Sequence, residues 1–123
     1  MKKKHIQPKK ETALVHVSSL LNNTFITLTT LEGNTLAWAS GGTGGFKGSR
    51  RATSYAAQMT GEKIGKACRD KKIVHVAARL KGPGYGKEAS LRGLKMAGVK
   101  VVRLQDVSPI PFNGCRLKRK RRV

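Results

Sequence analysis

The order of segments along this chain predicts an α/β fold in a single domain. The expected architecture is a mixed five-stranded sheet with two helices and basic extensions at both ends. Three observations carry that expectation. Apolar residues first alternate with polar ones, then recur at helical spacing, then alternate again, giving the order β-β-β-α-β-α-β. Strands in succession followed by strand–helix alternation give a mixed sheet. The length of 123 residues suits one domain with a modest core. The expected divisions are a basic arm over 1–11, an α/β domain over 12–107, and a basic tail over 108–123.

The elements follow in order. The arm begins Met1-Lys2-Lys3-Lys4-His5-Ile6. It has no apolar segment of a secretory signal and lacks the Ser/Arg-rich pattern of a transit peptide. From Ala13 alternation sets in, with Val15 and Val17 on one face and His16 and Ser18 on the other. Asn22-Asn23 turns the chain into the β-branched run Phe25-Ile26-Thr27-Leu28-Thr29. Glu32-Gly33-Asn34 is a second turn, leading to Leu36-Ala37-Trp38-Ala39, so the first three strands form a meander. A glycine-rich basic loop follows over 40–51. Thr53 or Ser54 is an N-cap for a helix ending near Asp70, with Ala56, Thr60, Ile64 and Ala67/Cys68 along one stripe. Gly61 and Gly65 are expected to weaken that helix by about 1 kcal/mol each relative to alanine. Ile73 to Leu80 is a strand with Val74, Val76, Ala78 and Leu80 sharing a face. A second helix starts near Lys87 and turns Leu91 and Leu94 to the core. Gly98 suits the position just past its end. Val99 to Leu104 is the last strand.

Composition narrows the function classes. The chain has 26 Lys and Arg against 6 Asp and Glu, a formal net charge of +20 and a pI near 11.0. Such an excess repels itself unless a polyanion lies against it. Nucleic acid is the first partner implied. An acidic membrane surface is a poor second, because no apolar run approaches the roughly 18 residues that span a bilayer, and the basic clusters lack an apolar helical face. Aromatic content of 5% argues against a binder built on stacking platforms. Cys68 and Cys115 are isolated thiols without zinc-ligand pairing, which fits a reducing compartment. His5, His16 and His75 have no partner at diagnostic spacing, and six acidic residues leave little scope for a carboxylate pair or a magnesium cage. No catalytic residue, metal ligand or cofactor is expected, and the chain does not read as an enzyme.

Four segments carry the binding candidates. In the first loop, Lys47 and Gly48 miss the phosphate-loop spacing, and no dinucleotide fingerprint fits either. Glycines that let backbone approach a ligand, with Lys47, Arg50 and Arg51 beside a helix start, still make a phosphate-binding arrangement; the alternative is a flexible connector. In the second loop, Gly82, Gly84 and Gly86 lie between a strand end and a helix start, flanked by Lys81 and Lys87. A side chain at Gly84 is expected to block a phosphate and to harm assembly more than folding. Arg92 reads equally as an RNA contact or as an ion-pair partner of Glu88. Asn22-Asn23-Thr24 reads equally as a turn or as a contact to sugar and base edges. The tail opens with Pro109-Ile110-Pro111, which holds it non-helical. It turns at Asn113-Gly114 and ends in Arg116, Lys118, Arg119, Lys120, Arg121 and Arg122, so six of the seven residues 116–122 are basic. Residues 112–123 are expected to order only against phosphates.

These segments together resemble the bacterial and organellar family of protein eleven of the small ribosomal subunit. The resemblance rests on Asn22-Asn23-Thr24, Gly44-Gly45-Phe46-Lys47-Gly48-Ser49-Arg50-Arg51-Ala52-Thr53, Ala56-Ala57-Gln58, Lys81-Gly82-Pro83-Gly84-Tyr85-Gly86, and the run from Asp106 to Arg116. It implies a ribonuclease-H-like fold without nuclease activity. It also implies a seat on the subunit platform, bound to small-subunit ribosomal RNA of the central and 3′ minor domains. Neighbouring platform proteins, and messenger RNA near the exit path, are the further partners implied. Phe112 stands where the family usually has His, Leu117-Lys118 replaces a usual Pro-Pro, and Thr30-Leu31-Glu32 replaces an Asp-containing strand end. Those departures favour a mitochondrial ribosome over a bacterial or plastid one. A free architectural or regulatory nucleic-acid binder is the alternative function.

Overall fold

Strict alternation puts Ala13, Val15, Val17 and Ser19 on the buried side of β1 (Ala13–Ser19). The same parity buries Thr24, Ile26 and Leu28 on β2 (Thr24–Thr29) and Ala39 on β3 (Thr35–Ser40). The computed structural model describes residues 12–122, and the expected basic arm over 1–11 lies outside them. β1 pairs antiparallel with β2 and β2 antiparallel with β3, which is the expected meander. β4 (His75–Lys81) pairs parallel with β1, and β5 (Lys100–Asp106) parallel with β4. The sheet is therefore mixed and five-stranded, as expected, and runs β3-β2-β1-β4-β5.

Helices α1 (Ser54–Asp70) and α2 (Gly86–Met96) pack on each other and cover the apolar face of the sheet. Ile64, Cys68 and Leu94 meet Val15, Val17, Ile26, Leu28 and Val76 in the core. Burial pushes the Cys68 thiol up to about 11, so it behaves as a small inert apolar side chain. Thr53 caps α1, its hydroxyl accepting from the Ala56 amide at 3.2 Å. Gly98 follows α2 in the left-handed region, φ +92°, as its position predicts.

Two boundaries move inward from the sequence reading. Ile73 still serves α1, its amide donating to the Cys68 carbonyl at 2.8 Å, so β4 starts at His75 and Val74 is left 48% exposed. Likewise Val99 donates to the Leu94 carbonyl at 3.1 Å, and β5 starts at Lys100. A larger correction concerns the helical glycines. A Cβ on Gly61 would strike the Ser90 carbonyl oxygen, one on Gly65 the Ala97 methyl, and one on Gly93 the Gln58 carbonyl. The glycines lower helix propensity, but they allow the two backbones to approach closely.

Candidate nucleic-acid interface

Strand direction brings the four candidate segments to one end of the sheet. β1, β3, β4 and β5 run the same way, and β2 runs opposite to them. The β1–β2 turn, the loop after β3, the loop after β4 and the tail after β5 therefore all emerge together. Segments far apart in the sequence thus leave the sheet at the same end by topology alone.

The β1–β2 turn divides between scaffold and surface. Asn22 is exposed. The Asn23 side-chain oxygen accepts from the Thr24 amide at 2.8 Å and from the Gly41 amide at 3.2 Å, tying this turn to the base of the first glycine loop. Thr24 is 2% exposed, and its hydroxyl lies against Gly86. Thr24 is thus a packing residue and not the nucleic-acid contact expected of it.

The first loop is tight at its base and open at its tip. A Cβ on Gly41 would come within 2.8 Å of the Arg51 carbonyl and of Asn23. Gly45 and Gly48 have φ of +92° and +60°, and a Cβ on either would meet nothing within 4 Å. Only glycine takes such φ values without strain, so the tip stays thin and bare. A short 3-10 turn, Gly48–Ala52, then leads to Thr53. Lys47 and Arg50 are exposed there, and Arg51 folds back to donate to the Gly48 carbonyl at 3.2 Å.

The second loop is different, and the expected phosphate nest is not free. The Gly82 amide donates to the Ser108 hydroxyl at 3.2 Å, the Gly84 amide to the Ser19 carbonyl at 2.9 Å, and the Gly86 amide to the Ser19 hydroxyl at 2.9 Å. A Cβ on Gly82 or Gly84 would collide with the Ser19–Leu20 backbone. Those two glycines exist to seat the loop on β1, so a side chain at Gly84 attacks the fold before it attacks binding. Lys81 stays exposed at the mouth of a cleft of about 480 Å³ between this loop and the start of the tail. Lys87 pairs with Asp106 at 3.4 Å. Arg92 is exposed on α2 and makes no ion pair with Glu88.

Asp106 and Ser108 are functional supports that sequence reading missed. The Asp106 carboxylate accepts from the Ser108 hydroxyl at 2.7 Å and from its amide at 3.0 Å, while the same hydroxyl accepts from Gly82. The Ser108 hydroxyl, its amide and the Lys87 ammonium all hold the Asp106 carboxyl below its ordinary range. This relay fixes where the tail leaves the sheet. Asn113 sits in the left-handed region, φ 55°, making the predicted turn, and a Cβ on Gly114 would press on Pro111 at 2.9 Å. Arg116, Lys118, Arg119, Lys120, Arg121 and Arg122 are all exposed beyond it. Among the described residues no group of three His, Cys, Asp or Glu could hold a metal ion, and no helix is long and apolar enough to cross a membrane.

Comparison with known proteins agrees with this geometry. The family model described as Ribosomal protein S11 matches residues 13–122. The chain belongs to that family. A relative named small ribosomal subunit protein uS11 from Thermotoga maritima is 51% identical over 110 residues, 89% of this chain and 85% of the relative. Another of that name from Aquifex aeolicus is 47% identical over 123 residues, 99% and 98% of the two chains. A third, from Methylibium petroleiphilum, is 44% identical over 121 residues, 98% and 91%. Membership in a ribosomal-protein family makes the chain a structural, non-enzymatic component of the small subunit. These relatives are bacterial and give the mitochondrial preference no support.

Proposed function

We propose that the chain holds small-subunit ribosomal RNA against the end of its sheet, on the subunit platform, as a scaffold of the translating particle. The observation that carries this reading is the convergence of the first loop, Lys81, Asn22 and the tail on one pole of the domain. That pole carries ten of the 26 Lys and Arg of a chain with net charge +20, and phosphates are the counter-surface that relieves their repulsion. RNA of the central and 3′ minor domains is the partner we assign to it. Platform proteins, and messenger RNA at the exit path, are the neighbours that follow from that seat. The bacterial relatives favour a bacterial-type particle.

The test is truncation after Gly114. It removes six positive charges and leaves +14 on the remaining chain. The domain should keep its fold and thermal midpoint, because the tail contributes nothing to the core. Affinity for ribosomal RNA should drop, and the slope of log affinity against log salt should flatten by roughly 0.7–0.9 for each phosphate that the tail no longer neutralises. Sucrose-gradient sedimentation should show less of the truncated chain in small subunits. A truncated chain that enters subunits as well as the full chain would sink the proposal. Wild-type chain recovered wholly outside ribosomal particles would favour the free regulatory binder instead.

A further inference from the structure

The chain has six aromatic residues (three Phe, two Tyr and one Trp), and none of them is buried. The core is built of aliphatic side chains and Cys68. Trp38 and Phe25 lie on the sheet, while the other four stand around the binding pole. Tyr85 sits on the second loop at 86% exposure and Phe112 on the tail at 97%. Phe46, at the first loop, and Tyr55, in the first turn of α1, meet edge to face with ring centroids 5.7 Å apart and planes at 81°. Composition suggested too few aromatics for base stacking. Placement adds what the count lacks, because none of them is spent on the core.

Phe46 lines an open recess of about 380 Å³ together with Gly45, Lys47 and Arg50. In an edge-to-face pair at least one ring keeps both π faces uncommitted. Tyr55 is 62% exposed. The bare tip at Gly45 leaves the approach unobstructed. Residues 40–55 contain no acidic residue and three cations, Lys47, Arg50 and Arg51. Exposed rings need an apolar cover, and the surrounding charge selects a cover that brings phosphate with it. A nucleotide meets both demands. Bases in an A-form duplex are stacked and hidden, so only an unpaired nucleotide can offer its face to a protein ring.

We infer that Phe46 and Tyr55, flanked by Lys47 and Arg50, form a site for an unpaired nucleotide of an RNA loop or bulge. The base stacks on the aromatic pair and the adjoining phosphates pair with the two cations. This rests on the RNA-scaffold reading and deepens it, since it names looped RNA as the ligand of the first glycine loop.

The experiment uses the full-length chain with two probes of equal phosphate number. One is an RNA hairpin whose single-stranded loop carries 2-aminopurine, and the other is a blunt duplex. Wild-type binding should quench the 2-aminopurine. Tyr55→Leu and Phe46→Leu should each weaken hairpin binding on the order of ten-fold. Duplex binding and the salt slope should hold, because no charge is removed. Tyr55→Phe should behave as wild type, and circular dichroism should show each variant folded. Equal loss on both probes, or undiminished quenching in the leucine variants, would overturn the inference. So would an absence of wild-type quenching combined with poor subunit incorporation of the leucine variants, which would mean that a protein neighbour covers the rings. A wild-type chain that binds neither probe and stays out of small subunits would overturn the RNA-scaffold reading itself.

Discussion

Two glycine-rich loops flank the binding pole, and by sequence they look alike. Each follows a strand, precedes a helix and carries lysine or arginine. Their glycines nevertheless do opposite work. In the second loop, Gly82 and Gly84 are pressed against the end of β1, and the amides of Gly82, Gly84 and Gly86 are consumed by Ser108 and Ser19. In the first loop, Gly45 and Gly48 face open space. One loop uses glycine to bring chain against chain, and the other to keep its tip unobstructed. In the second loop the approaching partner is the protein itself, whereas the tip of the first loop stays open, as the proposed RNA contact requires.

The sharpest test sets the two loops side by side. Gly84→Val drives a side chain into backbone that has nowhere to move, so unfolding by urea should show a loss of about 3 kcal/mol. Gly45→Ala meets no neighbour and bears only the left-handed φ, a loss of about 1 kcal/mol. Equal losses at the two positions would erase the distinction. A smaller effect comes from Ser19→Ala, which removes the acceptor of the buried Gly86 amide. Denaturation should report a loss of about 1–2 kcal/mol, and amide exchange should quicken over residues 82–86 while that of residues 43–48 is unchanged. Uniform quickening would mean that the loops are not independent.

The smallest effect is acid-linked. Asp106 titrates lower in the folded chain than its ordinary 3.8, first because the Ser108 hydroxyl donates to it. Its contribution is therefore present above the ordinary carboxylate range and is lost as pH falls through the lower folded value. NMR should show the Gly82 and Ser108 amides shifting together below about pH 4, while Gly45 and Gly48 stay still. No acidic residue lies in the first loop to move them. Joint movement of both loops would place the titrating group elsewhere.

Element order and type were legible because their signals are local. The alternation from Ala13 and the stripe through Ala56, Thr60 and Ile64 need no knowledge of distant residues. The convergence of the four segments was also implicit, since a meander followed by two parallel strands returns each candidate to one pole. What sequence reading lost were partners far along the chain. Nothing near Gly84 or Gly86 announces Ser19, although Ser19 and Gly86 are hydrogen-bonded across 67 positions. Thr24 looked like part of a polar turn, yet its parity with Ile26 and Leu28 sends it inward. Gly61 and Gly65 were charged with a propensity cost, because the helix that needs their absent side chains comes later in the sequence. The aromatic residues were counted, but a count does not say where they stand, and their grouping around one end of the sheet needed the fold.

The long reach of the Ser19 hydrogen bonds also sets a timetable for synthesis. A chain made from its N-terminus can close the β1-β2-β3 meander early, since its strand pairings are near in sequence. The pole cannot close until β4 and the start of α2 have been made. The densest cations, Arg116 to Arg122, come after every strand and helix of the domain. A half-made chain thus has a hairpin but no binding end. The basic tail appears only when the domain that aims it is complete.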